Sequence, residues 1–171
     1  MTRLQDFTSA PGRDLLGNIA LSKAALAIGT AKTAINTTAT LVYAVGGVLS
    51  SKAAMTSQAL TLYSRDGKQA GNTYVQPANT TVFYTIAINA AGTTVAAVQG
   101  TYAGQILVDP TQNGVSTGGD GLVPNAPAGF TPFGVIKVVT GATTFTIGTD
   151  NFDKANVTST FYDVAVLPAT L

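Results

Sequence analysis

Val82, Tyr84, Ile86 and Ile88 alternate with Phe83, Thr85 and Ala87 in the stretch "TVFYTIAINAAGTTVAAVQG". A side-chain period of two belongs to a strand, whose successive residues point to opposite faces. The run closes on Asn89-Ala90-Ala91-Gly92, which reads as a type I turn ending in a left-handed glycine, and a second strand follows. "ATLVYAVGGVLSS" repeats the plan. Leu41, Tyr43 and Val45 share one face, and Gly46-Gly47 offers the positive φ values of a two-residue hairpin turn. "FGVIKVVTGATTFTIGT" reads as a third hairpin turning near Thr140-Gly141, with Phe133, Ile136, Phe145 and Ile147 as packing residues. "STFYDVAVLP" reads as a last strand ended by Pro168. β-branched and aromatic residues fill these runs, as strands prefer. No βαβ pattern and no fixed-period repeat appears. The expectation is an all-β fold, a jelly-roll-like β-sandwich or barrel of about seven to nine antiparallel strands.

The N-terminal thirty residues break this rhythm. In "SAPGRDLLGNIALSKAALAIG", Leu15, Ile19 and Leu26 fall at helical spacing, and Asp14 is placed to cap a helix starting at Leu15. Gly17 weakens such a helix by about 1 kcal/mol relative to Ala. By Ala27–Ala31 the alternation is that of a strand. The segment 1–30 is therefore expected to be a short helix or docked arm, and 31–171 the β-domain. Arg3, Asp6, Arg13 and Asp14 leave no apolar core for a Sec-type signal, so synthesis in a cytoplasm without export is expected.

Composition narrows the chemistry. The chain of 171 residues has no Cys, no His, no Trp and no Glu. Without Cys there is no disulfide and no thiolate metal site. Without His there is no Ser-His-Asp arrangement and no imidazole base or ligand. Charged residues make up 10%, against about 25% in an ordinary domain, while 46% are hydrophobic. A net charge of +1 gives no electrostatic case for nucleic acid. No apolar run approaches the length of a membrane helix. A surface this poor in charge is either a neutral Thr/Asn-rich exterior or one covered by other subunits. A non-enzymatic protein without cofactor is expected.

The remaining constellations read as structural. Asp109, Thr111, Asn113, Gly114 and Asp120 match positions of a calcium loop, but Pro110 follows the first ligand, Asp replaces the terminal Glu and no helices flank it. A turn cluster is the stronger reading. The polar stretch 64–79 holds Arg65, Asp66 and Lys68 and reads as an exposed hairpin tip or contact loop; 109–132 reads as a long Gly/Pro-rich connection. Asp150 and Asp153 suit a cap or turn better than a hydrolytic carboxylate pair. Asp163 and Lys137 lie within strands, where a cross-strand pair is one option.

Several stretches together carry a resemblance. "LSKAALAIGTAK", "YAVGGVLSSKAAM", "IAINAAGTTVAAVQG" and above all "PFGVIKVVTGATTFTIGTDNFDKANVTSTFYDVAVLP" resemble small Thr/Ala/Gly-rich structural proteins of tailed bacteriophages. The resemblance spans most of residues 20–168 and lies in hairpins, not in catalytic motifs. It implies a virion component, foremost a head decoration or cement protein on the capsid surface. Such a protein would bind the major capsid protein, bridge capsomers and associate with itself, foremost as a trimer or else as another oligomer. Phe7, Leu15, Leu16 and Ile19 are the residues expected to anchor it. A tail or fibre part is one alternative. A host-surface glycan-binding adhesin is another, against which the missing Trp counts.

Overall fold

A computed structural model describes residues 17–63, 75–100, 107–108, 115–116 and 123–165, with only the backbone of the two short central pieces. The described residues are all β and contain no helix. Their strands are β1 (Ile19–Ala20), β2 (Leu26–Ile28), β3 (Ile35–Thr37), β4 (Leu41–Val45), β5 (Val48–Lys52), β6 (Thr61–Tyr63), β7 (Thr81–Asn89), β8 (Val95–Gln99), β9 (Leu107–Val108), β10 (Val115–Ser116), β11 (Phe130–Thr140) and β12 (Val157–Asp163).

The largest sheet has five strands in the order β12-β11-β7-β8-β6. A second has the order β1-β4-β5, and the pairs β2-β3 and β10-β9 stand apart. Pairing is antiparallel throughout except between β6 and β8, which run parallel. That exception is topological: β6 precedes β7 in the chain yet joins beyond β8, so the connection crosses over.

Two of the three hairpins form where alternation and turn residues coincide. Val45 pairs with Val48 across Gly46 (φ 54°) and Gly47 (φ 74°), the two positive values a tight primed turn requires. Between β7 and β8, Gly92 adopts φ 66° and its N–H donates to Asn89 O at 3.0 Å. The Asn89 side chain then accepts from the N–H groups of Thr93 (2.9 Å) and Thr94 (3.1 Å), pinning the turn.

The third hairpin takes a different form. β11 turns not into Thr143–Thr149 but, after a long connection, into β12, with Thr140 opposite Val157. Phe145 instead exchanges both backbone bonds with Gln76, at 3.0 and 2.7 Å. Thr146–Asp150 forms a turn in which Asp150 N–H donates to Thr146 O and the Asp150 carboxylate accepts from Thr146 N–H, both at 2.8 Å. The physical reason is burial. Phe145, Ile147 and Phe152 are almost fully enclosed and complete one end of the core, which rewards folding inward more than extending a sheet.

The N-terminal helix reading is corrected over the residues that are described. Ile19 lies in β1 opposite Ala44, and Leu26 begins β2 opposite Thr37. Asp14, Leu15 and Leu16 lie outside the described residues. Two forces favour strand over helix here. Gly17 takes a left-handed φ of 51°, and Leu26 gains its burial over Gly134 of β11, a site that a strand reaches. β12 ends at Asp163, five residues before Pro168.

One continuous core joins the layers. Tyr84, Ile86 and Ile88 of β7, Ile136 and Val138 of β11, Leu41 and Tyr43 of β4, and Ile35 of β3 belong to it. Phe133 and Ile136 both face inward although their spacing is odd. A bulge between Pro132 and Gly134 shifts the register by one and makes this possible. An aromatic chain Tyr84–Phe145–Phe152–Phe161 runs through this core, with ring centroids 6.3, 5.7 and 5.4 Å apart.

Candidate functional site

The buried polar groups are the first place to look for chemistry. Gln76 is fully enclosed. Its Nε2 donates to Thr80 O at 3.2 Å and Val138 O at 3.1 Å, and its Oε1 accepts from the Tyr84 hydroxyl at 3.1 Å. Beside it, the Thr140 hydroxyl donates to Pro77 O at 2.7 Å and accepts from Thr80 N–H at 3.1 Å. Thr131 on β11 donates to Ala44 O on β4 and so ties the two larger sheets together. Thr37 accepts from Met55 N–H at 2.9 Å. No described buried side-chain nitrogen or oxygen lacks a partner. Satisfied in this way, the groups fasten loops and sheets.

The described carboxylates are similarly engaged. Asp150 accepts from Lys154 Nζ at 2.9 Å, while Asp153 faces Lys32 Nζ at 3.4 Å. The two carboxylates thus serve different partners in a turn. Asp163 Oδ1 accepts from Leu26 N–H at 3.1 Å and links β12 to β2. Lys137 lies opposite Thr160 and Phe83, whereas Asp163 lies opposite Gly134, so these two are not a cross-strand pair. Among the described residues no group of three or more acidic side chains could hold a metal. The calcium-like positions Asp109, Thr111, Asn113, Gly114 and Asp120, and Arg65, Asp66 and Lys68, lie outside the described residues. Burial pushes the Tyr43 hydroxyl above its ordinary pKa.

Of the four expected anchoring residues, only Ile19 is described, half-buried in β1. Phe7, Leu15 and Leu16 lie outside the described residues. The surface features that sequence reading did not single out are sheet edges. Val48 (51% exposed) and Leu49 (50%) open β5, an outer strand. Tyr162 (47%) lies near the end of β12, an outer strand of the large sheet, and Val164 (37%) follows that strand. Two consecutive apolar residues after a Gly-Gly turn were the available sign of the first. Nothing local marks β12 as an edge, because its "TSTFY" alternation suits a central strand equally well.

Compared with protein-family models, curated proteins and solved structures, the chain matches none.

Proposed function

We propose that the chain is a structural protein of a tailed-phage particle, foremost a decoration protein that binds the major capsid protein on the head and stabilises the shell by bridging capsomers. One observation carries most weight: no described buried side-chain nitrogen or oxygen lacks a hydrogen-bond partner, and Gln76, Thr131 and Thr140 use theirs to fasten sheets and loops. A rigid, charge-poor body suits a role in occupying and joining surfaces. The packed sheets read as a sandwich-like scaffold, and the hairpin stretches resemble virion proteins of this kind. Residues Phe7, Leu15 and Leu16 are proposed to anchor the scaffold to the shell, with Ile19 holding the base of that segment against β4.

The test is stoichiometry. Purified particles are expected to carry the protein on heads in amounts matching the capsid lattice. A few copies confined to tails would replace the decoration reading with the tail reading, and absence from particles would end both. Removing residues 1–16 spares β1 and is expected to abolish head binding while the β-domain stays folded. Normal occupancy by the truncated chain would refute the anchoring role.

A further inference from the structure

We infer that β12 is a self-association edge: two copies of the chain pair their Val157–Asp163 strands antiparallel about a two-fold axis at Thr160, joining two five-stranded sheets into one. The inference stands apart from the virion reading, since it rests on the strand itself.

The hydrogen-bond phase shows which backbone groups are available. Gly141 N–H donates to Asn156 O at 2.7 Å, and Val164 N–H donates to Phe133 O at 2.9 Å. Both bonds belong to the unbroken β11–β12 register that pairs Gly134 with Asp163 and Thr140 with Val157. Bonded and non-bonded pairs alternate in an antiparallel ladder. Thr158, Thr160 and Tyr162 therefore bond inward to β11, and the N–H and C=O groups of Ser159, Phe161 and Asp163 point away from the sheet. Among the described residues no backbone bond reaches them. The β12 side chains that do engage, Ser159 Oγ with Phe152 O and Asp163 Oδ1 with Leu26 N–H, leave these main-chain groups untouched.

Proteins usually guard such an edge with Lys, Pro, a bulge or brevity. β12 has none of these. Its sequence "VTSTFYD" contains no Lys or Pro, its register with β11 is unshifted, and at seven residues it is the longest outer strand among the described residues. The competing edges are weaker templates: β6 has three residues, β1 two, and β5 five, ending in Lys52.

Self-pairing is favoured over a foreign strand by the strand's own symmetry. Thr160 is the centre of Val157–Asp163, so an axis there overlaps the full strand. Ser159 then meets Phe161 of the second copy with both backbone bonds exchanged. Thr158 meets Tyr162, and Asp163 meets Val157, so the one charge of the strand never faces its twin. Thr and Tyr side by side on an exposed face form favourable cross-strand neighbours. With a net charge of +1, little long-range repulsion separates two copies. An isologous contact of this kind closes at two subunits.

The test uses the full chain over a range of roughly 1–100 μM, which spans weak to moderate affinities. Sedimentation velocity is expected to show a species of twice 17.3 kDa that dissociates on dilution. T160K/Y162K changes two outward-facing positions and places Lys against Lys at an axis on Thr160 or Phe161. It is expected to sediment as a monomer with an unchanged circular dichroism spectrum. The chain has no cysteine, so T160C is a unique reporter. At the proposed axis the two Cα atoms form a non-bonded pair about 4.5 Å apart, within disulfide reach, and oxidation should give a covalent dimer. Three results would each overturn the inference. One is a monomer at every concentration. Another is an oligomer that T160K/Y162K leaves intact and T160C does not cross-link. The last is an oligomer lost in V48K/L49K but kept in T160K/Y162K, which would place the contact on β5.

Discussion

Gln76 shows how a single residue holds this fold. It lies outside the long strands, yet its backbone clasps Phe145 and its side chain bridges Thr80, Val138 and Tyr84. Replacing it with Leu keeps the volume but deletes three buried side-chain bonds and is expected to cost about 2–4 kcal/mol in urea unfolding. A loss under about 0.5 kcal/mol would show that the clasp is dispensable. Tyr43 gives a pH prediction. Its folded pKa is raised, so the folded state keeps the phenol proton where the unfolded chain has released it. The associated stability is fully present below the ordinary tyrosine pKa near 10 and is lost as pH rises through the higher folded value. Y43F is expected to flatten the decline in melting temperature measured above pH 10. An equally steep decline in Y43F would exclude Tyr43 as its source.

At the scale of elements, two glycines separate conformation from space. Gly46 sits at positive φ with nothing within 4 Å of an added Cβ, so G46A meets only backbone strain. Gly29 lies where an added Cβ would come within 2.7 Å of Ala34 O and 2.9 Å of Ala31 O in the turn between β2 and β3. Backbone cannot yield as a side chain does. G46A is expected to cost about 1 kcal/mol and G29A at least twice that, read from denaturation midpoints at constant m. Equal losses would mean that the β2–β3 turn relaxes freely. The connection 141–156 is the instructive element. Its alternation at Phe145 and Ile147 predicted a strand, and both residues are indeed buried. What local alternation could not convey is that β11 already has β7 and β12 on its two sides, which leaves no edge for a further strand. The same limit applies to the N-terminal reading, where a helical spacing at Ile19 and Leu26 gave way to places beside Ala44 and over Gly134.

For the whole molecule, the low charge sets the response to solution conditions. The described ion pairs, Lys32–Asp153 and Lys154–Asp150, are both partly exposed and contribute little. Raising salt from about 50 to about 500 mM is expected to change unfolding free energy by less than about 1 kcal/mol. A larger loss would reveal an electrostatic contribution that these pairs do not account for. If β12 joins two copies, the melting temperature should also rise with protein concentration, because dissociation is coupled to unfolding. A two-fold contact closes at two subunits, whereas the resemblance to phage proteins implies foremost three, with other oligomers open, and the sedimenting mass decides between them.

The all-β class, the β4–β5 and β7–β8 hairpins, and the burial of Phe133, Ile136, Phe145 and Ile147 were legible in the order of residues alone. These depend on local rules: a period of two, glycines at positive φ, and apolar side chains that leave water. The sequence also placed Asp150 in a turn, because a short carboxylate among Thr and Asn bonds to nearby backbone. Which strand sits beside which, the place of Gln76 in the core, the bulge that brings Phe133 and Ile136 to one face, and the position of β12 at the edge were settled by the fold as a whole. Those outcomes depend on contacts between residues distant in the chain. Each strand can pair on two sides, and the global packing of the core, more than any local pattern, sets which side remains open.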